Sequence, residues 1–213
     1  MTQALRPRRM GVFGGAFDPP HRAHVDLARA ALAQLGLDEL RILPTGDAWH
    51  KLRPLSPAVH RLAMAKLAFE GLPSVVIDER ELQRAGPSYT IDTLEALASE
   101  FAQPPPALYL LMGGDQWAAL GSWHRWQDIA KLASLCVLDR PGAPRPAHDG
   151  VAAPIWLQAP PQDLSATAVR EGLKDGRLSS QDLAALLPEA VARYISAHGL
   201  YGHPQPGPPA PNA

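Results

Sequence analysis

The sequence has little that would mark a secreted, membrane or nucleic-acid-binding protein. Its 213 residues include one cysteine, Cys136, so no disulfide can form within the chain. No apolar run approaches the length that spans a bilayer, and the basic segment 1–9 lacks the apolar centre of a signal peptide. The formal net charge of −1 provides no positive field for nucleic acid. We therefore expect a cytoplasmic protein with no membrane or nucleic-acid partner.

Proline is abundant, at 23 residues, but it is unevenly distributed along the chain. Five prolines fall within residues 203–213, which we interpret as a disordered tail; a partner-binding polyproline segment is the alternative. We expect residues 1–9 to be a flexible N-terminus and residues 10–202 to form one domain. Cys136 lies in the apolar run 132–138, which predicts a buried, inert thiol rather than a nucleophile.

Short apolar runs alternate with amphipathic segments along the chain. The runs 10–13, 40–43, 75–77, 108–112, 135–138 and 155–157 predict strands. Segments 21–35, 57–69, 91–101, 115–120, 126–133, 166–174, 181–186 and 189–197 predict helices. This alternation indicates an α/β fold with a doubly wound, mostly parallel sheet and a small helical C-terminal appendage.

Polar segments follow the predicted strands. They occupy residues 44–54, 78–90, 113–115, 140–142 and, after the last strand, 165–170. Ligands of doubly wound sheets bind beyond the carboxyl ends of the strands. The sequence therefore predicts one ligand site built from several separated loops.

The run Gly-Gly-Ala-Phe-Asp-Pro-Pro-His-Arg-Ala-His, residues 14–24, joins the first predicted strand to the first predicted helix. Its glycines let the backbone approach an anion closely, and the helix start offers unpaired N–H groups. His21 and His24 are three residues apart, so they share one helix face and are candidate phosphate ligands. A metal site and purely structural histidines are the alternatives, although spacing marks no third metal ligand.

Two further segments carry groups suited to phosphate. Ser165 is a candidate N-cap, and Thr167 and Arg170 follow within one turn, which suits a polyphosphate; an ordinary capped helix is the alternative. His50 and Lys51 follow the second strand and are candidate cations for a second phosphate, or a solvated basic pair. Residues 11–15 do not fit the G-x-G-x-x-G dinucleotide fingerprint, which disfavours a nicotinamide-dependent oxidoreductase.

The run 14–24 resembles G-G-T/S-F-D-P-x-H-x-G-H, the signature of the nucleotidylyltransferases with a Rossmann-like fold. Ala16 and Ala23 depart from that pattern, and both histidines are kept. Ser165, Thr167 and Arg170 match the S-x-T-x-x-R motif of the same family. Further matches in order, from Asp-Glu-Arg-Glu-Leu at 78–82 and Pro-Ser-Tyr-Thr at 87–90 through Ser122-Trp123 to Gly199-Leu200-Tyr201, resemble the bacterial nicotinate-nucleotide adenylyltransferases. The resemblance covers residues from about 10 to 201.

The resemblance implies a role for each matching residue. Contacts with ATP are implied for Gly14, Gly15, Ala16, Phe17, His21, His24, Gly113, Asp115, Ser165, Thr167 and Arg170, with Gly113 and Asp115 at the ribose. Contacts with nicotinate mononucleotide are implied for His50, Lys51, Tyr89, Thr90 and Trp123, with Trp123 stacked on the pyridine ring. Of these, His24, His21, Arg170 and Lys51 are the implied catalytic residues. A core or interface tryptophan is the alternative for Trp123, and a structural role is an alternative for residues 78–82.

The implied activity is adenylyl transfer from ATP, with Mg²⁺, to nicotinate mononucleotide in NAD biosynthesis. Transfer to nicotinamide mononucleotide or to phosphopantetheine is the alternative within enzymes. A nucleotide sensor without catalytic activity is the alternative from another class. We expect no metal site built by the protein itself, and the sequence leaves monomer and homodimer open.

Overall fold

A six-stranded sheet lies at the centre of the computed structural model, which describes residues 6–46, 55–101, 104–139, 145–160 and 164–203. The strands are β1 (Arg9–Gly15), β2 (Glu39–Pro44), β3 (Val75–Ile77), β4 (Ala107–Gly113), β5 (Ala133–Leu138) and β6 (Ile155–Leu157). Their order is β3-β2-β1-β4-β5-β6, and every neighbouring pair is parallel. The predicted doubly wound α/β fold is confirmed.

Helices connect and cover the strands. They are α1 (Arg22–Leu35), α2 (Ala58–Phe69), α3 (Arg80–Gln83), α4 (Thr90–Glu100), α5 (Gly114–Ala118), α6 (Trp126–Leu132), α7 (Ala166–Lys174), α8 (Ser180–Leu186) and α9 (Glu189–His198). Two 3₁₀ turns span Leu120–Ser122 and Leu200–Gly202. The helix predicted over 115–120 is thus shorter and ends before a 3₁₀ turn, and α3 was not predicted.

The strands are apolar because both faces of the sheet are covered. One buried cluster joins α1, α2 and α7 to the sheet, and Phe13, Ala28 and Met64 belong to it. A second cluster on the other face joins α4, α5 and α6, and includes Met10 and Val12 of β1. Cys136 is fully buried, as predicted, and burial raises the pKa of its thiol to about 12, which disfavours the thiolate form.

The C-terminal helices α8 and α9 pack into the first cluster. Leu183, Leu187, Val191 and Ile195 are almost fully buried there, and α9 contacts α2. The predicted helical appendage therefore shares the core of the sheet rather than forming a core of its own. None of the helices in the described part of the chain has the length and apolarity needed to cross a bilayer.

The strand order reverses beside β1, which pairs with β2 on one side and with β4 on the other. The connections that leave the carboxyl ends of β1 and β4 run away from each other, which opens a crevice between them. The glycine-rich end of β1 and the Gly113–Gly114 end of β4 both lie at this crevice.

Candidate active site

A cleft of about 440 Å³ opens at the carboxyl ends of β1 and β4. It brings together most of the site residues predicted from sequence: Gly14, Gly15, Ala16, Phe17, His21, His24, Tyr89, Thr90, Gly113, Asp115, Trp123, Ser165 and Arg170. Thr167 does not line the cleft but contacts Arg170. His50 and Lys51, and the polar segment 140–142, lie outside the described residues. Two groups of these lining residues differ in composition.

The first group, here called the histidine wall, consists of residues 14–24 and 165–170. His21 is the N-cap of α1, with an extended backbone at φ −132°, so the helix begins one residue later than predicted. The rings of His21 and His24 are stacked with centroids 3.8 Å apart. The backbone N–H of His21 donates to Nδ1 of His24 at 3.1 Å. The neutral His24 ring therefore carries its proton on Nε2, which leaves that nitrogen as a donor.

Phe17 anchors the turn between β1 and α1. Its ring is 1% exposed and packs edge-on against Phe13 and Phe69, with centroids 5.5 and 5.6 Å away. Its φ of 47° lies in the left-handed region, which costs free energy for a residue with a side chain. The side chain of Phe17 thus belongs to the core, while its backbone shapes the turn that lines the cleft.

Arg170 reaches this turn from α7. Ser165 caps that helix by accepting a hydrogen bond from the Ala168 N–H at 3.1 Å, which confirms the predicted N-cap. Arg170 Nη1 donates to the backbone oxygen of Asp18 at 2.7 Å, and Nη2 donates to Thr167 Oγ1 at 2.9 Å. The guanidinium is therefore held at the same turn as the two histidines.

Buried polar groups support the turn from behind, and they were not predicted. Arg61 of α2 is 3% exposed, and burial lowers the pKa of its guanidinium. It donates to the backbone oxygens of Ala16, Thr45 and Ser56 at 3.1, 2.7 and 2.9 Å. One side chain thus ties together the turn, the end of β2 and the approach to α2. Only the three-dimensional arrangement shows this role, because the partners are backbone carbonyls distant in sequence.

The second group, here called the aromatic wall, consists of Tyr89, Thr90, Trp123 and His124. Tyr89 is the N-cap of α4, and its ring lies 4.4 Å from that of His124, centroid to centroid. Trp123 is half-buried after the 3₁₀ turn Leu120–Ser122 and packs against the second core cluster. His124 was missed at the sequence level, although its position beside Trp123 was an available signal.

Glu81 also lines the cleft and is 6% exposed. Its Oε1 accepts from Thr93 Oγ1 at 2.8 Å, and its Oε2 accepts from Thr45 Oγ1 at 3.0 Å. Burial raises the pKa of this carboxyl despite those two hydrogen bonds. A side chain at Gly46 would collide with the backbone oxygen of Glu81, so glycine permits the close approach of the two segments.

Asp78, in the same predicted polar segment, belongs to a different arrangement. It pairs with Arg41 at 2.9 Å and Arg80 at 2.8 Å, and both arginines also pair with Glu100. Burial alone would raise the pKa of Asp78, but hydrogen bonds from Arg80 and Arg41 hold it below its usual range. Asp78 is not among the residues that line the cleft, so residues 78–82 divide between an ion-pair cluster and the support of the aromatic wall.

The chemistry available in the cleft is that of anion binding. The histidine wall supplies backbone amides, two imidazoles and a guanidinium, and the aromatic wall supplies ring faces. Across the described ranges, no group of three or more His, Cys, Asp or Glu side chains is placed to hold a metal ion. These groups suit a polyphosphate at the histidine wall and a flat aromatic group at the aromatic wall.

Comparison with known proteins points in the same direction. Residues 12–172 match the model of the family described as cytidylyltransferase-like. A relative from Albidiferax ferrireducens, named "Probable nicotinate-nucleotide adenylyltransferase", is 50% identical over 205 residues, covering 91% of this chain and 98% of the relative. A relative of the same name from Methylibium petroleiphilum is 41% identical, covering 95% of this chain and 97% of the relative.

A solved structure is similar in fold. Plasmodium falciparum nicotinic acid mononucleotide adenylyltransferase, complexed with NaAD, superposes with a TM-score of 0.74 at 16% identity. The match covers 92% of this chain and 98% of that one. At this identity the likeness concerns the fold alone, and it extends over nearly all of both chains.

Proposed function

The chain belongs to the nicotinate-nucleotide adenylyltransferases, and on that premise we propose that it joins ATP to nicotinate mononucleotide, releasing pyrophosphate and forming nicotinate adenine dinucleotide. The reaction is a step of NAD biosynthesis. The observation that carries the proposal is the convergence of His21, His24 and Arg170 in the same cleft that Tyr89 and Trp123 line. We place the enzyme in the cytoplasm.

ATP occupies the histidine wall in this proposal. The amides of residues 14–17 and the start of α1 receive phosphate oxygens, and Ser165, Thr167 and Arg170 hold the triphosphate from α7. Gly113 and Asp115, at the end of β4, hold the ribose, whose two hydroxyls suit a carboxylate acceptor. The Nε2–H of His24 donates to an oxygen of the α-phosphate.

Nicotinate mononucleotide occupies the aromatic wall. Trp123 stacks on the pyridine ring, and Tyr89 and Thr90 lie at its carboxylate. We assign His50 and Lys51, which lie outside the described residues, to the phosphate of the mononucleotide. His124 completes the wall through its contact with Tyr89.

The reaction proceeds by in-line attack of the mononucleotide phosphate on the α-phosphorus of ATP, and pyrophosphate leaves. The attacking phosphate is already ionised, so no strong general base is required. No serine, histidine and aspartate nucleophile set was found in the sequence, and the mechanism has no covalent intermediate. Catalysis rests on positioning and on neutralising the charge that develops at phosphorus.

Mg²⁺ enters with ATP as part of the substrate. The side chains of the histidine wall that line the cleft include His21, His24, Ser165 and Arg170, which suit phosphate oxygens rather than a metal. This donor set fits an ion held chiefly by the triphosphate. When bound, Mg²⁺ neutralises phosphate charge; orienting the triphosphate is the task of Arg170, His21 and His24.

Pyrophosphate release with ATP and Mg²⁺ tests the proposal. We expect rapid release with nicotinate mononucleotide and much slower release with nicotinamide mononucleotide or phosphopantetheine. Equal use of the acid and the amide would keep the chemistry and reject the acceptor preference. No release with any acceptor, while calorimetry still detects ATP binding, would favour a nucleotide sensor.

A further inference from the structure

The Gly199-Leu200-Tyr201 motif is not used by the proposed function, yet it lies against the histidine wall. After α9 the chain passes through the left-handed region at Gly199, with φ 57°, and again at Tyr201, with φ 58°. For tyrosine this backbone conformation is costly, because the Cβ crowds the carbonyl oxygen. The surrounding structure must therefore hold the residue in place.

The hydroxyl of Tyr201 makes a hydrogen bond that holds the residue in place. It donates to Asp18 Oδ1 at 2.7 Å, between residues 183 positions apart in the chain. Asp18 is 1% exposed, and its other carboxylate oxygen accepts from the backbone N–H of Ser56 at 3.2 Å. Burial, followed by the neighbouring charge of Asp18, raises the pKa of Tyr201. The hydroxyl therefore stays protonated and remains a donor at neutral pH.

Asp18 is also the residue that holds Arg170. Its backbone oxygen accepts from Arg170 Nη1 at 2.7 Å, so one residue receives Tyr201 through its side chain and Arg170 through its main chain. Asp18 directly follows Phe17, whose positive φ makes this turn dependent on outside support. A shift of Asp18 would therefore move the anchor of the guanidinium.

We propose that Tyr201 is a positioning residue, which fixes Asp18 and thereby sets the geometry of Arg170 towards the triphosphate of ATP. The inference rests on the proposed function, because it assigns the triphosphate to the histidine wall. It extends that function by making the end of the folded chain part of the ATP site. Tyr201 itself does not line the cleft and acts through Asp18.

Replacement of Tyr201 by phenylalanine removes one hydroxyl and keeps the ring. We expect kcat/KM for ATP to fall about tenfold, the scale of a hydrogen bond to a charged group, with KM for nicotinate mononucleotide changed less than about twofold. Tyr194→Phe is the matched control, since it removes a hydroxyl that contacts His60 Nδ1 at 3.0 Å, on helix α9 just before the turn that carries Tyr201. This control should leave kcat/KM for ATP and KM for nicotinate mononucleotide unchanged. An equal loss in the two variants, or a loss shared by both substrates, would overturn the inference.

A double-mutant comparison distinguishes positioning from general support. If Tyr201 acts through Arg170, Tyr201→Phe should cost less than about twofold in the Arg170→Ala background. A full tenfold loss in that background would show that Tyr201 acts by another route and would overturn the inference. Asp18→Ala, which removes the acceptor of the Tyr201 hydroxyl and keeps the backbone oxygen that receives Arg170, provides a second variant should Tyr201→Phe fold poorly. It should produce the same ATP-selective loss.

ATP binding measured by calorimetry separates this inference from the proposed function. Tyr201→Phe should weaken ATP binding about fivefold, within the range of one lost hydrogen bond, while Tyr194→Phe should not change it. If the wild-type protein transferred nothing to nicotinate mononucleotide, the proposed function would fail. The two ATP affinities would still test Tyr201, and equal affinities would reject its role.

Discussion

The two walls of the cleft are held in different ways. On the histidine wall, directional hydrogen bonds fix the functional groups: the His21 N–H holds His24, and the Asp18 carbonyl holds Arg170. On the aromatic wall, the described contact between Tyr89 and His124 is one of ring against ring, and Trp123 remains half-exposed. Charge that develops during a reaction rewards fixed donors, whereas a flat ring is recognised by surface contact. Under the proposed function, the difference favours the chemical step at the histidine wall and substrate selection at the aromatic wall.

The strongest test of this comparison is the removal of the His24 imidazole. We expect His24→Ala to lower kcat about 10²- to 10³-fold, the loss typical of one donor to developing charge, with little change in KM for ATP. Steady-state kinetics with both substrates varied would measure it. His24→Gln, whose amide nitrogen can replace Nε2, should recover more activity than His24→Asn, whose oxygen replaces only Nδ1. A loss confined to KM would make His24 a binding residue and weaken the division between the walls.

Removal of the Arg170 guanidinium should have the next largest effect, somewhat smaller than that of His24→Ala. We expect Arg170→Ala to lower kcat/KM for ATP about hundredfold, because the triphosphate loses a fixed charge. Arg170→Lys keeps the charge but cannot reproduce the fork that reaches Asp18 and Thr167 together, so it should recover only part of the loss. Measurement at two ionic strengths would separate charge from geometry. Full activity in the lysine variant would show that the contact with Asp18 is dispensable.

The sequence predicted the strands of the sheet and most of the residues that line the cleft. All six strands were predicted within two residues of their ends, because each is a short, mainly apolar run between polar turns. The four-residue helix α3 was missed because one turn carries no periodicity. The link between Tyr201 and Asp18 and the three carbonyl contacts of Arg61 were missed because contacts between distant segments leave no local pattern. The roles assigned to the cleft residues remain predictions.

Trp123 tests the aromatic wall, with a smaller expected effect. Trp123→Ala should raise KM for nicotinate mononucleotide about tenfold, the scale of one lost stacking contact, and should leave KM for ATP nearly unchanged. Trp156 of the edge strand β6 does not line the cleft, so Trp156→Ala serves as the control for loss of a half-buried indole. Equal changes for both substrates would show that Trp123 supports the whole cleft rather than one wall.

The smallest expected effect concerns Glu81, the buried carboxyl that accepts hydrogen bonds from Thr93 and Thr45. Because burial raises its pKa in the folded protein above the ordinary value of 4.5, folding favours the protonated form. Below pH 4.5 the Glu81 carboxyl is largely protonated in both the folded and the unfolded state, so its burial does not lower the free energy of unfolding. As pH rises through the raised pKa of Glu81, the buried carboxyl ionises and the free energy of unfolding of the wild-type protein falls.

Glu81→Gln, which does not titrate, should therefore become more stable relative to wild type as pH rises from 4 to 8, by less than about 3 kcal/mol. Urea unfolding across this range would measure the difference. Glu100→Gln is the opposing control: burial acts to raise the pKa of Glu100, but hydrogen bonds from Arg80 and Arg41 lower it, so this carboxylate stabilises the fold above pH 4.5. The two variants should diverge with increasing pH. Parallel curves of unfolding free energy against pH would mean that burial does not disfavour the ionised form of Glu81. The contribution of Glu81 to the aromatic wall would then not depend on pH.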